Sequence, residues 1–246
     1  MKMSVRKEEF KMTKNNTNSR ASKGYKGMAM EGLIARWYAN VTKEDEELRS
    51  LAKRLSEFVP AGNRVLEVAP GPGYLSIALA TLGHHRIVGL DISKSFVAIA
   101  QANARVAGVE IEFRQGNASD MPFDNETFDF IFCRAAFKNF TQPVRAIQEM
   151  YRVLRSNGKA VIFDLRRDAS QEAIDEYVKN MGLNRINTLM TNWTFRHMLL
   201  KSAYKKEEIQ EFVSHTHFHQ CQIGEDPIGM EIWLEKRTPL RKEGFL

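Results

Sequence analysis

Cysteine is almost missing from this 246-residue chain: Cys133 and Cys221 lie far apart and form no CxxC pair. That excludes a disulfide framework and a zinc knuckle, and it fits a reducing, cytoplasmic setting. No apolar run approaches the roughly 18–20 residues needed to span a bilayer, and the polar N-terminus has no signal-peptide core. Charge of one sign is also missing from most of the chain. The formal net charge is +6, yet residues 1–26 hold eight lysines and arginines against Glu8 and Glu9, so the remainder is balanced. A basic nucleic-acid-binding core is therefore not indicated, and an apolar fraction of 43% is that of a globular protein. Residues 1–23 read as a basic arm too poor in apolar side chains to fold, and 24–246 as a single domain.

What is present is a turn that organises the rest, RVLEVAPGPGYLS at 64–76. Arg64 to Val68 is a short apolar run ending at Pro70-Gly71, which predicts a buried strand. Leu75, Ala78, Leu79 and Leu82 then recur at helical spacing. Gly71 and Gly73 let a ligand approach the backbone, and a helix N-terminus follows them. Upstream, Thr42 and Asp45 are spaced as a capping box, and Leu48, Leu51, Ala52, Leu55 and Val59 mark one face of a helix. Downstream, strands are expected at Arg86–Leu90 (closed by Asp91), Glu110–Arg114, Phe128–Cys133 and Lys159–Leu165. Helices are expected at Lys94–Ala107 and Gln142–Arg155. The alternation predicts an α/β fold with a Rossmann-like, doubly wound, mostly parallel sheet.

Two stretches break the alternation. Residues 168–204 hold helical segments at Ser170–Met181 and Asn184–Ala203 with no strand between, an insertion placed where a substrate cap sits over such a sheet. Residues 216–224 and 229–236 read as a hairpin, which makes seven strands with an antiparallel last one. Residues 24–40 are rich in methionine and aromatics. Met28, Met30, Leu33, Ile34, Trp37 and Tyr38 either pack on the core or form a lid.

The glycine turn has two readings. A nicotinamide site has a third glycine and an acidic residue about 20 positions on. Asp91 satisfies the second condition, but Ser76 stands where the third glycine belongs. The other reading comes from the order of motifs. Glu67 with Gly71 and Gly73 (Ala69 replacing a usual glycine), Asp91 in GLDIS, and Gly116-Asn117-Ala118-Ser119-Asp120-Met121-Pro122-Phe123 follow one another. FDFIFCRAAFKNF, PVRAIQEMYRVLRSNGK and AVIFDL complete the series. Over residues 60–165 this resembles the class I S-adenosylmethionine-dependent methyltransferases, within them the ubiquinone/menaquinone C-methyltransferase (methyltransferase type 11) group.

The resemblance implies a cofactor, S-adenosylmethionine, leaving as S-adenosylhomocysteine, and a role for each matching position. Glu67 attracts the ammonium, and the backbone of Ala69, Gly71 and Gly73 approaches the methionine and ribose. Asp91 accepts from the ribose hydroxyls. Asn117, where the family usually has Asp, accepts from the adenine amino group, and Ala118 offers its N–H to the ring. Ile92 and Met121 flank the adenine, Arg134 stands at the methionine end, and Tyr38 joins the cofactor contacts. The position that holds an Asp in divalent-metal catechol O-methyltransferases reads Arg134-Ala135-Ala136-Phe137, so no metal is expected. No DPPY or NPPY sequence marks an amino-methylating enzyme.

For the acceptor, Trp37, Phe137 and Trp193 would line an apolar pocket, and Arg166 and Arg196 would bind an anionic group on it. His197, beside Arg196, is the candidate general base. Asp164 reads equally as a substrate residue or a turn cap, and Asp129 as structural. His215, His217, His219 and Cys221 alternate, so on a strand they would share a face with the ligand types of a soft-metal site. The expected function is methyl transfer to a small, partly apolar metabolite by a monomer or homodimer. A non-catalytic cofactor-binding sensor is the alternative motivated by Ala69 and Asn117. An RNA or protein methyltransferase is motivated only by the arm.

Overall fold

The computed structural model describes residues 24–26, 30–42, 46–83, 86–182 and 185–237. The basic arm, Met28, Asp45, His84 and His85 lie outside the described residues.

Seven strands form one sheet in the order β3-β2-β1-β4-β5-β7-β6. They are β1 (Arg64–Val68), β2 (Arg86–Asp91), β3 (Glu112–Gln115), β4 (Phe128–Arg134), β5 (Leu154–Leu165), β6 (Gln222–Glu225) and β7 (Gly229–Glu235). The strands β1 to β5 are parallel, and β7 runs antiparallel between β5 and β6. Such central strands are covered on both faces, which explains their continuous apolar runs. Val65, Leu66, Val68, Ile131 and Phe132 are all fully buried. On one face β1 and β4 meet α2 (Glu46–Phe58) and α3 (Tyr74–Leu82) through Leu51, Leu55, Leu75 and Leu79. On the other they meet α5 (Pro143–Val153) and α9 (Lys206–Ser214) through Ile147, Met150, Ile209 and Val213. The chain winds from β1 outwards to β3, then restarts at β4 on the other side. Ligand crevices of such sheets open at that switch, beyond the carboxyl ends of the strands.

The helices largely follow their sequence signals. For α4 (Lys94–Ala107), Ser93 caps the start by accepting from Phe96 N, and Gly108 ends it in the left-handed region. Thr42 does not open a helix. Its hydroxyl donates back to Tyr38 O and closes α1 (Gly32–Val41). The helix expected to reach Arg155 stops at Val153, because Leu154 is already paired with Phe128 and fully buried. The register then shifts through Asn157 (φ 63°) and resumes at Phe130–Lys159. Arg155 meanwhile pairs with Asp129, which also accepts from Arg64 N, so Asp129 is a structural residue. β3 starts two residues later than expected.

The last part requires a larger correction. Residues 215–220 form turns after α9, and the strand is only Gln222–Glu225. His215 Nδ1 meets Glu211 O, and the His217 ring stacks on Tyr151. His219 takes φ 59°. These residues do not share a strand face with Cys221, so the alternation that suggested a metal site has no structural counterpart. Both cysteines are free thiols.

The insertion contains α6 (Gln171–Asn180), capped by Ser170, and α7 (Arg185–Thr194). The long second helix is interrupted: α7 runs into a π-helical turn, Phe195–Leu199, and then α8 (Leu200–Ser202). Ile174, Val178 and Phe195 pack against Leu165 and fasten the insertion to the end of β5. No helix among the described residues is long and apolar enough to cross a membrane.

Candidate functional site

Three alternate residues of the turn after β1 are left-handed: Ala69 (φ 58°), Gly71 (φ 55°) and Gly73 (φ 81°). For alanine this conformation costs about 1 kcal/mol. Ala69 N donates to Leu90 O at 2.8 Å, which holds the residue there. The replacement of glycine at 69 therefore leaves the alternating turn intact. At Gly73 the need for glycine is steric as well, since a Cβ would lie 2.9 Å from the Phe113 ring and 3.0 Å from Ala100 Cβ.

Two buried carboxylates flank this turn. Glu67 in β1 is 3% exposed, and its Oε2 accepts from both the N–H and the hydroxyl of Ser76 in the first turn of α3. Burial pushes its carboxyl up to about 7 despite those two donors and Arg134, with Asp91 raising it further. Asp91, at the end of β2, accepts from Gly71 N at 3.0 Å and Ser93 N at 2.8 Å. Burial raises it to about 6, against the lowering effect of those backbone donors. Ser76 entered the sequence reading only as a missing glycine. Its position in the first turn of a helix that faces Glu67 was the available signal.

At the third strand end, Asn117 accepts from Ser119 N at 2.9 Å, turning the chain before Asp120. Gly24 packs directly on it: a Cβ there would lie 2.7 Å from Ile92 and 2.8 Å from Asn117 Nδ2. Ile92 and Asn117 thus both lie against Gly24, and Ala118 packs on the main core cluster. Met121 is different, being 4% exposed within the main core cluster. The segment over this end is tied down by Lys26 N to Asn139 O and by a bridge between Tyr25 and Phe140. Burial pushes the Tyr25 hydroxyl up to about 12, with Tyr38, Asp91 and Asp164 adding to the effect. Met30 and Glu31 are fastened at the N-terminus of α4, where Ser93 Oγ donates to Met30 O and Glu31 accepts from Lys94 N and Ser95 N.

At the end of β4, Arg134 pairs with Glu47, and Ala135 is left-handed (φ 57°). Asp164 is neither an exposed substrate residue nor a simple turn cap. It forms a buried pair with Lys138 at 2.8 Å and also accepts from Lys138 N and Leu165 N. Nothing in the sequence distinguished Lys138, because an isolated lysine is the side chain least expected inside. Phe137 is also interior, edge-on to Phe140 and close to Tyr204.

The proposed acceptor residues are more open. Trp37 and Trp193 are exposed, and Tyr38 sets its ring against Phe96. Arg166 is paired with Asp168 and Glu225, and Arg196 with Asp175. His197 lies on the π-helical turn with its exposed ring 5.3 Å from Trp193. On the same helix, Asn192 Oδ1 is buried without a hydrogen-bond partner among the described residues.

Comparison with known proteins accords with this arrangement. Residues 66–162 match the family model described as a methyltransferase domain. A demethylmenaquinone methyltransferase of Clavibacter sepedonicus is 36% identical over 136 residues, covering 54% of each chain. An uncharacterised methyltransferase of Bacillus subtilis, YcgJ, is 33% identical over 127 residues, covering 51% of this chain and 49% of that one. The chain thus spans about half the length of the curated relatives it matches. A crystal structure from Methanococcus maripaludis, provisionally named as an S-adenosyl-L-methionine-dependent methyltransferase, superposes with a TM-score of 0.70 at 22% identity. It covers 87% of this chain and 97% of that one. Residues 66–162 are thus similar to a methyltransferase domain, and the sheet has the Rossmann-like fold of that solved structure.

Proposed function

We propose that this chain binds S-adenosylmethionine across the ends of β1, β2 and β3 and transfers its methyl group to a small, partly apolar acceptor. The observation that carries this reading is the pair of buried carboxylates, Glu67 and Asp91, on either side of the left-handed turn. A carboxylate has about four acceptor positions. Asp91 uses two on Gly71 N and Ser93 N, which leaves room for the hydroxyls of a ribose. Glu67 is held at one oxygen by Ser76, and its other oxygen remains for an ammonium, directly or through water. Asn117 and Ile92 then bound the adenine end. The buried Glu67 carboxylate and the cofactor's ammonium suit each other.

When bound, this cofactor supplies an electrophilic methyl group on a sulfonium. The chain's own part is to orient donor and acceptor in line and to exclude water. Trp37 and Trp193 offer apolar surface for the acceptor. Where the acceptor must lose a proton, His197 is the base we assign, as the histidine of the insertion beside Trp193.

Incubation with S-adenosylmethionine and a fractionated metabolite extract tests the activity, read as release of S-adenosylhomocysteine. Turnover with an apolar fraction is the expected result. Cofactor binding without turnover in any fraction would instead favour a non-catalytic sensor. Turnover confined to RNA or protein fractions would reject the small acceptor.

A further inference from the structure

We propose that Lys138 is a positioning residue for the cofactor site, fixing the turn at Ala135 just after Arg134, the residue that the resemblance puts at the methionine end; this rests on the cofactor reading above. Ala135 follows β4 directly and is left-handed (φ 57°), a conformation that a non-glycine residue keeps only when its surroundings impose it. Two bonds impose it here. Ala135 N donates to Phe163 O of β5 at 2.8 Å, and Lys138 Nζ donates to Ala135 O at 2.6 Å. The same ammonium pairs with Asp164 Oδ1 at 2.8 Å, while Asp164 Oδ2 accepts from Lys138 N at 2.8 Å. Leu165 N completes the group by donating to Asp164 Oδ1. One buried lysine therefore joins the end of β4 to the end of β5, in the half of the sheet that begins at the switch in strand order.

The pair does more than fill the core. Two charged groups that are only 4% and 5% exposed are no better for stability than apolar side chains of similar volume. What an apolar pair lacks is a donor for Ala135 O. The carbonyl bond fixes the direction of the following peptides, including the short 3-10 turn Phe137–Asn139. Beyond Asp164 the chain enters the helical insertion through Leu165, which packs on Ile174, Val178 and Phe195. Lys138 thereby holds the methionine end of the cofactor site and the root of the insertion in one register.

The test separates positioning from mere support by comparing two ligands. S-adenosylhomocysteine carries the amino acid end, and 5′-methylthioadenosine has the same adenine and ribose without it. Removing Lys138 alone strands the Asp164 charge and can unfold the chain. The variant for calorimetry is therefore Lys138→Met combined with Asp164→Asn, which leaves no orphan charge and keeps an amide oxygen for one of the two backbone donors. S-adenosylhomocysteine should bind about tenfold or more weakly, with 5′-methylthioadenosine within about twofold of the unmodified chain. Lys138→Arg, which keeps a cationic donor, should restore part of the loss. Equal weakening of both ligands, or no change in either, overturns the assignment. Failure of the unmodified chain to bind both compounds overturns the underlying cofactor reading instead.

Discussion

The two sides of the crevice are built differently. On the side of the glycine turn, Glu67, Asp91 and Ser76 are buried and engaged in specific hydrogen bonds to backbone or neighbouring side chains. On the side of the insertion and α1, large apolar side chains face outwards: Leu33 is 81% exposed, Leu189 71%, Trp37 64% and Trp193 58%. The first side is set by sheet geometry and tolerates little change. The second consists of helix faces that leave large apolar side chains exposed. On the proposed function, the fixed side holds the methyl donor and the open side meets the acceptor.

The sharpest way to break this contrast is at Asp91. Asp91→Ala removes the proposed ribose acceptor and the bonds to Gly71 N and Ser93 N together. Affinity for S-adenosylmethionine measured by calorimetry should fall about 100-fold or more, consistent with two charge-assisted hydrogen bonds. Binding within a few-fold of the unmodified chain would mean that the fixed side is not the cofactor side.

Glu67 gives the next effect, and its sign follows from the raised carboxyl. The folded form holds its proton to about pH 7, whereas the unfolded form loses it near 4.5. The folded, ligand-free chain is therefore favoured at low pH and loses stability as pH rises from about 4.5 through 7. The effect is on the order of 3 kcal/mol. Asp91, raised to about 6, adds in the same direction. Glu67→Gln should flatten much of the decline in melting temperature between pH 5 and 8. An unchanged pH profile would show that Glu67 does not titrate in that range.

The differences in legibility have the same physical origin. The alternation of strands and helices, the carboxylate near the end of each of β1 and β2, and the antiparallel β7 were readable because buried parallel strands and glycine turns leave periodic signals. The third motif was readable through its resemblance. Three things were hidden. The end of α5 was misplaced because Asn157-Gly158 looks like a helix stop, whereas it lies in an irregular part of β5. Residues 215–220 alternate as a strand would, yet they turn after α9, where Phe218 is buried. Lys138 gave no signal at all, since its partner Asp164 is 26 residues away. Pairings of this kind arise only in the folded sheet.

Two smaller experiments sharpen the contrast. Asn117→Asp retains an acceptor for Ser119 N and adds a charge at the proposed adenine end. S-adenosylmethionine should bind about three- to tenfold more tightly, and weaker binding would place the adenine elsewhere. Trp193→Ala, on the exposed side, should leave cofactor affinity within about twofold and the melting temperature nearly unchanged. Its effect should appear only in turnover of an identified acceptor. A large loss of cofactor affinity would place Trp193 on the donor side instead.

The most direct test of the central claim is a calorimetric titration of the unmodified chain with S-adenosylmethionine and, separately, with NADH. Saturable binding of S-adenosylmethionine is expected, weakening as pH falls below about 7, where Glu67 takes up its proton, with no binding of NADH. Binding of NADH alone would contradict that claim, returning the glycine turn to a dinucleotide and leaving the Glu67–Ser76 contact as part of the core.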